Sequence, residues 1–445
     1  MSLTTGLAIV VALGVFGQVI ARRINVPSIL VLLGLGLVIG PLSGVLDPDE
    51  VFGTSLFPVV SLGVGLLLFE ESLKLDARRL RGGARRPVVG LVTVGALITG
   101  VGASLAAYWV LDVTAGEAAV IGSIVIVSGP TVVGPLLSII RPREPVGSVL
   151  AFEGIFIDPI GATIALTVAN VVLYEEAPRL FTTAFTGLWT GLLAAAVYVV
   201  VVRWGRVPPG TEVILAVAFA FVTFAGAEEV QSESGLWAMT TLGVVLANQR
   251  LVPIEPLHEF GGHLGMLLVG SLFILLSARV DVGELITYGG ATVLIVVLLV
   301  LVVRPVATAV ATAGTSLDRR ERGLVAWMAP RGIVAASTAS VFALEFEEAG
   351  RPFPELVPVV FGIIVLTALV YGLSGPAVAK ALGLRSGDPE PLDDDGVPVS
   401  VPGESTARLT IATARVVREG GVEHTIRRLH RPLPGPPDDD AGPTA

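Results

Sequence analysis

Cysteine is absent from the 445 residues, which excludes disulfides, thiolate metal sites and cysteine nucleophiles. Histidine occurs four times and lysine only as Lys74 and Lys380, so arginine supplies nearly all the positive charge. Charged residues of both signs make up 15% of the chain, against about 25% in soluble globular domains. A water-soluble fold of this length would lack its polar covering. Acids outnumber bases by 38 to 29, a net charge of −9, which argues against nucleic acid as a partner. What is present is apolar: 53% of residues, gathered in long runs, which points to an integral membrane protein.

A span needs about 20 mostly apolar residues. Thirteen stretches qualify: 3–21, 26–45, 55–73, 87–111, 117–140, 146–174, 180–202, 211–229, 235–249, 261–278, 284–305, 323–344 and 355–383. The first has no basic segment before it and no small-residue cleavage site before Arg22, so it reads as a retained helix. The runs are continuous and do not alternate, as a helical bundle requires and a β-barrel does not. Arginines follow every odd span through the eleventh, among them Arg22, Arg78, Arg79, Arg81, Arg85, Arg141, Arg206, Arg250 and Arg319. The intervening loops carry acids, such as Asp47, Asp112, Glu176, Glu228, Glu233, Asp281 and Glu345. This alternation predicts an external N-terminus and a cytoplasmic C-terminus in the plasma membrane. Residues 386–445 differ: nine prolines and eleven acids against six arginines read as a solvated cytoplasmic tail. It is too short for a nucleotide-binding regulatory domain.

The helical pattern is violated twice. Span five contains Ser128-Gly129-Pro130-Thr131-Val132-Val133-Gly134-Pro135, and span twelve contains Ala329-Pro330-Arg331-Gly332. Pro130, Pro135 and Pro330 each remove an amide and crowd the preceding turn, while Gly129 and Gly332 loosen it further. Either break alone is equally well a proline kink. Paired at positions seven spans apart, they fit two six-span units of opposite topology around a linker helix, with a site where the broken helices meet.

Buried charge is the second signal, because an ion at membrane depth costs at least ~2.5–3.5 kcal/mol. Span six contains Glu153 and Asp158. Five residues apart, they point about 140° from each other around a helix. Asp158 shares its face with Gly154, Gly161, Ala162 and Ala165, a small-residue strip expected to leave room for water and a cation. Glu153 shares its face with Ile157, Ile160 and Ile164, and its expected partner is Arg331 in a structural ion pair. His258 and His263 are five apart rather than the four of a zinc-protease helix, so they read as an interfacial pair.

These motifs in this order resemble the monovalent cation/proton antiporters, in the branch of archaeal and bacterial sodium/proton exchangers. The matches are Asn25-Val26-Pro27 through Gly40-Pro41, Phe69-Glu70-Glu71-Ser72-Leu73-Lys74-Leu75-Asp76, the span-five break, Glu-x4-Asp in span six, Leu272-Phe273-Ile274 and Ala329-Pro330-Arg331-Gly332. The resemblance covers residues 1–385 and implies an all-α polytopic protein of about thirteen transmembrane helices, in two inverted repeats with two broken crossing helices. It implies a core domain (about 87–174 and 284–383), a dimerisation scaffold (about 1–73 and 211–278) and a linker helix (about 180–202), working as a homodimer in the bilayer without a cofactor. The implied activity is exchange of Na+, or else Li+ or K+, for H+. The implied ion and proton ligands are Asp158 and Thr131, with Ser128, Gly154 and Glu70 nearby. Glu70 reads equally well as a solvated carboxylate at the cytoplasmic end. This chain departs from the family by Ile157 before Asp158, Val132 after Thr131 and Gly154 after Glu153. With one titratable ligand, the expectation is one-for-one exchange. The rival readings are a K+/H+ antiporter or K+ efflux system and a passive cation channel; no nucleophile–base pair in the spans supports an enzyme.

Overall fold

In hydrocarbon a backbone segment can satisfy its own amides only as a helix, and the apolar runs fold accordingly. The computed structural model describes residues 1–385 except 25, 79, 81, 82, 176–179, 206 and 209. Asn25, Arg79, Arg81, Glu176, Arg206 and the 386–445 tail, all used above, lie outside the described residues. Among those described there is no β-strand, only an isolated bridge between Pro142 and Arg385.

The helices in chain order are α1 (Leu3–Ile24), α2 (Ser28–Leu42), α3 (Pro48–Leu73), α4 (Arg85–Val110), α5 (Ala115–Ile124) and α6 (Pro130–Ile140). They continue as α7 (Val146–Tyr174), α8 (Leu180–Trp204), α9 (Glu212–Val230), α10 (Ser234–Asn248) and α11 (Glu255–Ser277). The last are α12 (Val282–Thr287), α13 (Gly289–Ala311), α14 (Arg319–Trp327), α15 (Ile333–Glu348) and α16 (Leu356–Ala381). Among the described residues, nine of these are long and apolar enough to cross a membrane: α1, α3, α4, α7, α8, α9, α11, α13 and α16. The other expected stretches hold shorter helices: α2, α10, and the pairs α5–α6 and α14–α15.

Local chemistry explains several ends. Thr114 and Asp318 close capping boxes with Glu117 and Glu321 at the starts of α5 and α14. Where the expected span eleven stops at 305, α13 runs on to Ala311 through a π-helical turn at Leu299–Val303. Arg304, the first residue after that turn, faces the interior and is buried.

Candidate ion site

The two sequence breaks become two interrupted helices. α5 ends at Ile124, a turn follows at Val125 and Ile126, Gly129 is extended (φ −62°, ψ 132°), and Pro130 opens α6 at a position where its missing amide has no role. α14 ends at Trp327, Met328 is extended, and Gly332 (φ −123°, ψ −168°) leads into α15. The extended segments touch at their glycines. A Cβ added to Gly129 would lie 2.8 Å from the Gly332 Cα, and one added to Gly332 would lie 2.6 Å from the Gly129 Cα. Pro135 sits inside α6 without ending it.

An interrupted helix leaves carbonyls without amides and a partial negative charge at its C-terminal end. Two buried arginines meet that need. Arg331 Nη1 donates to the carbonyls of Ile126 (3.2 Å) and Val127 (3.4 Å) in the first break. Arg304 Nη2 donates to those of Val325 (3.2 Å) and Met328 (3.0 Å) in the second.

This corrects the expected ion pair. Glu153 is held by Arg304, whose Nη1 lies 2.5 Å from Oε1 and whose Nη2 lies 2.8 Å from Oε2. Arg331 is committed to the opposite break, and α13, just past its π-helical turn, presents a second guanidinium in bidentate register with the carboxylate. The sequence reading missed Arg304 because it stands at the edge of an apolar run, where an arginine looks interfacial. The apolar pattern resuming at Val306 was the available signal.

Asp158, on the other side of α7, is fully buried, and neither carboxylate oxygen has a hydrogen-bond partner within the described residues. The hydroxyl of Thr131, at the start of α6, is likewise buried and unpartnered. Leaving such groups unmade costs about 1–3 kcal/mol each, so polar oxygens held open near the crossing breaks are chemistry for a cation or a proton. The small-residue strip beside Asp158 is closed at Gly161 and has room for a Cβ at Gly154. A Cβ on Gly161 would meet Val127 Cγ2 at 2.5 Å, and one on Gly154 would meet the Ser128 carbonyl at 3.4 Å. Gly154 and Gly161 thus seat α7 directly on the first break, with Ser128 buried between.

A cavity of about 510 Å³ leads towards this centre, lined among others by Glu70, Glu71, Lys74, Thr131, Gly134 and Gly265. Asp158 is not among its lining residues. Glu70 is buried against Gly261 and Gly265 of α11, not solvated, and its Oε1 lies 2.6 Å from Lys74 Nζ. A second cavity, of about 490 Å³, is lined by Glu228, Glu233, Ser337 and Thr338 from α9, α15 and the turn before α10. His258 and His263 are exposed, with His263 Nδ1 on the Glu259 carbonyl.

Comparison with known proteins adds the family. A profile described as the transmembrane sodium/hydrogen exchanger matches residues 7–381. A K+/H+ antiporter named NhaP2 from Shewanella baltica is 23% identical over 412 residues, spanning 86% of this chain and 67% of its own. A probable Na+/H+ antiporter from Methanocaldococcus jannaschii is 24% identical over 375 residues, spanning 79% of this chain and 86% of its own. The structure of the sodium proton antiporter MjNhaP1 from the same organism superposes with a TM-score of 0.76 at 22% identity, over 85% of this chain and 98% of that one. The fold is shared, and the protein is a multi-pass membrane cation/proton antiporter rather than an enzyme. With the profile spanning nearly all of the helical region, the chain belongs to the transmembrane sodium/hydrogen exchanger family.

Proposed function

We propose that this protein exchanges Na+ for H+, one for one, by alternating access across the plasma membrane, with cation and proton competing for Asp158. The observation that carries the reading is a fully buried carboxylate with both oxygens unpartnered, on a helix whose Gly154 and Gly161 lie against the first break. Burial disfavours the bare anion, so the site is at ease only when a cation or a proton compensates it. A compensated site can cross and a bare one cannot, which makes exchange obligatory. The Thr131 hydroxyl, backbone oxygens around Ser128 and Gly154, and water complete the cation's shell, with Glu70 on the approach. In this reading α4–α7 and α12–α16 form a moving core, α1–α3 and α9–α11 form a dimerising scaffold, and α8 links them. Thirteen crossings as inverted repeats, with the N-terminus outside and the C-terminus in the cytoplasm, complete it.

The test is proton flux in proteoliposomes driven in turn by Na+, Li+ and K+ at several pH values. Asp158→Asn is expected to abolish cation-driven flux, and retained exchange would overturn the assignment. K+ as cargo is the second reading, favoured by the K+/H+ name of a relative. Flux with K+ and none with Na+ would establish it; current without proton coupling would mean a channel.

A further inference from the structure

Lys74 is one of two lysines in the chain, and its position is specific. It follows the last turn of α3, with Nζ 2.6 Å from Glu70 Oε1 and 2.9 Å from Glu71 Oε1. All three side chains line the same cavity as the buried, unpartnered hydroxyl of Thr131. Glu70 is buried, Glu71 mostly so, and Lys74 is about half exposed at 48%. An ion moving through this cavity towards Thr131 therefore meets two carboxylates already holding an ammonium. Arg22, the other cation among the described residues lining the cavity, donates from Nη2 to Met266 Sδ on the same wall at 2.8 Å.

A lysine ammonium is a compact, strongly hydrated point charge on a flexible stem, the nearest a side chain comes to a free monovalent ion. Tethered within reach of its carboxylates, it has a high effective concentration there, so a free cation binds only by displacing it. We infer that Lys74 is an intramolecular competitor of the transported cation at a Glu70–Glu71 entry site, and that this competition sets the concentration at which transport half-saturates. The inference rests on the proposed cation/proton exchange and adds to it an entry site and the residue that tunes it. Displacement is cheap because Lys74 has water on one side, and the flexible stem lets the ammonium swing aside without moving α3.

Removing the charge should make the entry site easier to fill. In proteoliposomes at fixed symmetric pH, Lys74→Met is expected to lower the half-saturating Na+ concentration about fivefold, equivalent to about 1 kcal/mol. Lys74→Arg, which keeps the charge and grips carboxylates with a forked set of donors, should not lower it. A half-saturation that is unchanged or raised in Lys74→Met would overturn the inference. If that variant fails to fold, the wild type supplies the reading. Lys74 and Lys380 are its only lysines, so labelling with an amine-directed reagent can be read at Lys74 with Lys380 as internal reference. Saturating NaCl in place of choline chloride should free Lys74 and raise its labelling; equal labelling would overturn the proposal. Wild-type liposomes without cation-driven proton flux would instead defeat the exchange reading beneath it.

Discussion

Glu153 on α7 and Arg304 on α13 form a bidentate ion pair inside the bundle, and the same guanidinium reaches the carbonyls of Val325 and Met328 at the second helix break. A single arginine thereby neutralises a buried carboxylate and covers the open end of α14. Arg331 does the corresponding duty at the first break without touching a carboxylate.

Breaking this pair from one side strands a buried charge. Arg304→Met should destabilise the protein by about 3–5 kcal/mol, the cost of removing one partner of a buried pair. Glu153→Leu combined with Arg304→Met should recover part of that loss, since no uncompensated carboxylate remains. Arg331→Met should cost less than Arg304→Met because it uncovers only carbonyls. Thermal unfolding in detergent ranks the three; Arg331→Met as the worst would restore the Glu153–Arg331 pairing.

The crossing of the breaks admits no side chain. Gly129→Ala would put a methyl 2.8 Å from the Gly332 backbone, which no rotamer change relieves. Overpacking of this kind costs about 1–3 kcal/mol, and here it also displaces the site. Transport should fall together with stability. Gly226→Ala, on α9 with nothing within 4 Å of the new methyl, should leave transport intact and add up to about 1 kcal/mol of stability.

Thr131 separates folding from function. Its hydroxyl is buried and bonded to no described group, so Thr131→Val removes no protein hydrogen bond. Melting temperature should hold or rise, because an unpaired polar group is lost. The half-saturating cation concentration should rise about tenfold, equivalent to about 1.4 kcal/mol of ligation. Flux titrations and melting curves on one preparation test both halves.

Glu233, in the turn between α9 and α10, is pushed up to about 8 from the usual 4.5 by burial and by the neighbouring carboxylates of Glu228 and Glu345. Because the folded protein holds this proton more tightly than the unfolded chain, the associated stability is full below about 4.5. It is lost as pH rises through about 8. Glu233→Gln should flatten the melting temperature between those values and raise it at pH 9, and an unchanged pH profile would refute the assignment.

Much of the site was legible along the chain. Asp158 stood out because a carboxylate in an apolar helix has no cheap explanation, and Pro130 and Gly332 stood out because they cannot continue a helix. Glu153 was rightly separated from Asp158 by helical angle, yet its partner was misassigned. Periodicity places a side chain on a face but does not say which of two arginines arrives there. Glu70 shows the same limit: at the end of a span it could be wet or buried, and the glycines of α11 that close over it are nearly two hundred positions away.

The sequence by itself determined that the protein lives in a bilayer, which segments are helical, where they break and which carboxylate is exceptional. Each of these follows from local chemistry: apolar length, a missing amide, an ion without water. Only the tertiary structure decided that Arg304 rather than Arg331 grips Glu153, that Gly161 is packed against Val127, and that Lys74 sits on the carboxylates of Glu70 and Glu71. Those outcomes depend on which distant helices approach and at what depth, and a π-turn at Leu299–Val303 precedes the residue whose role was hardest to foresee.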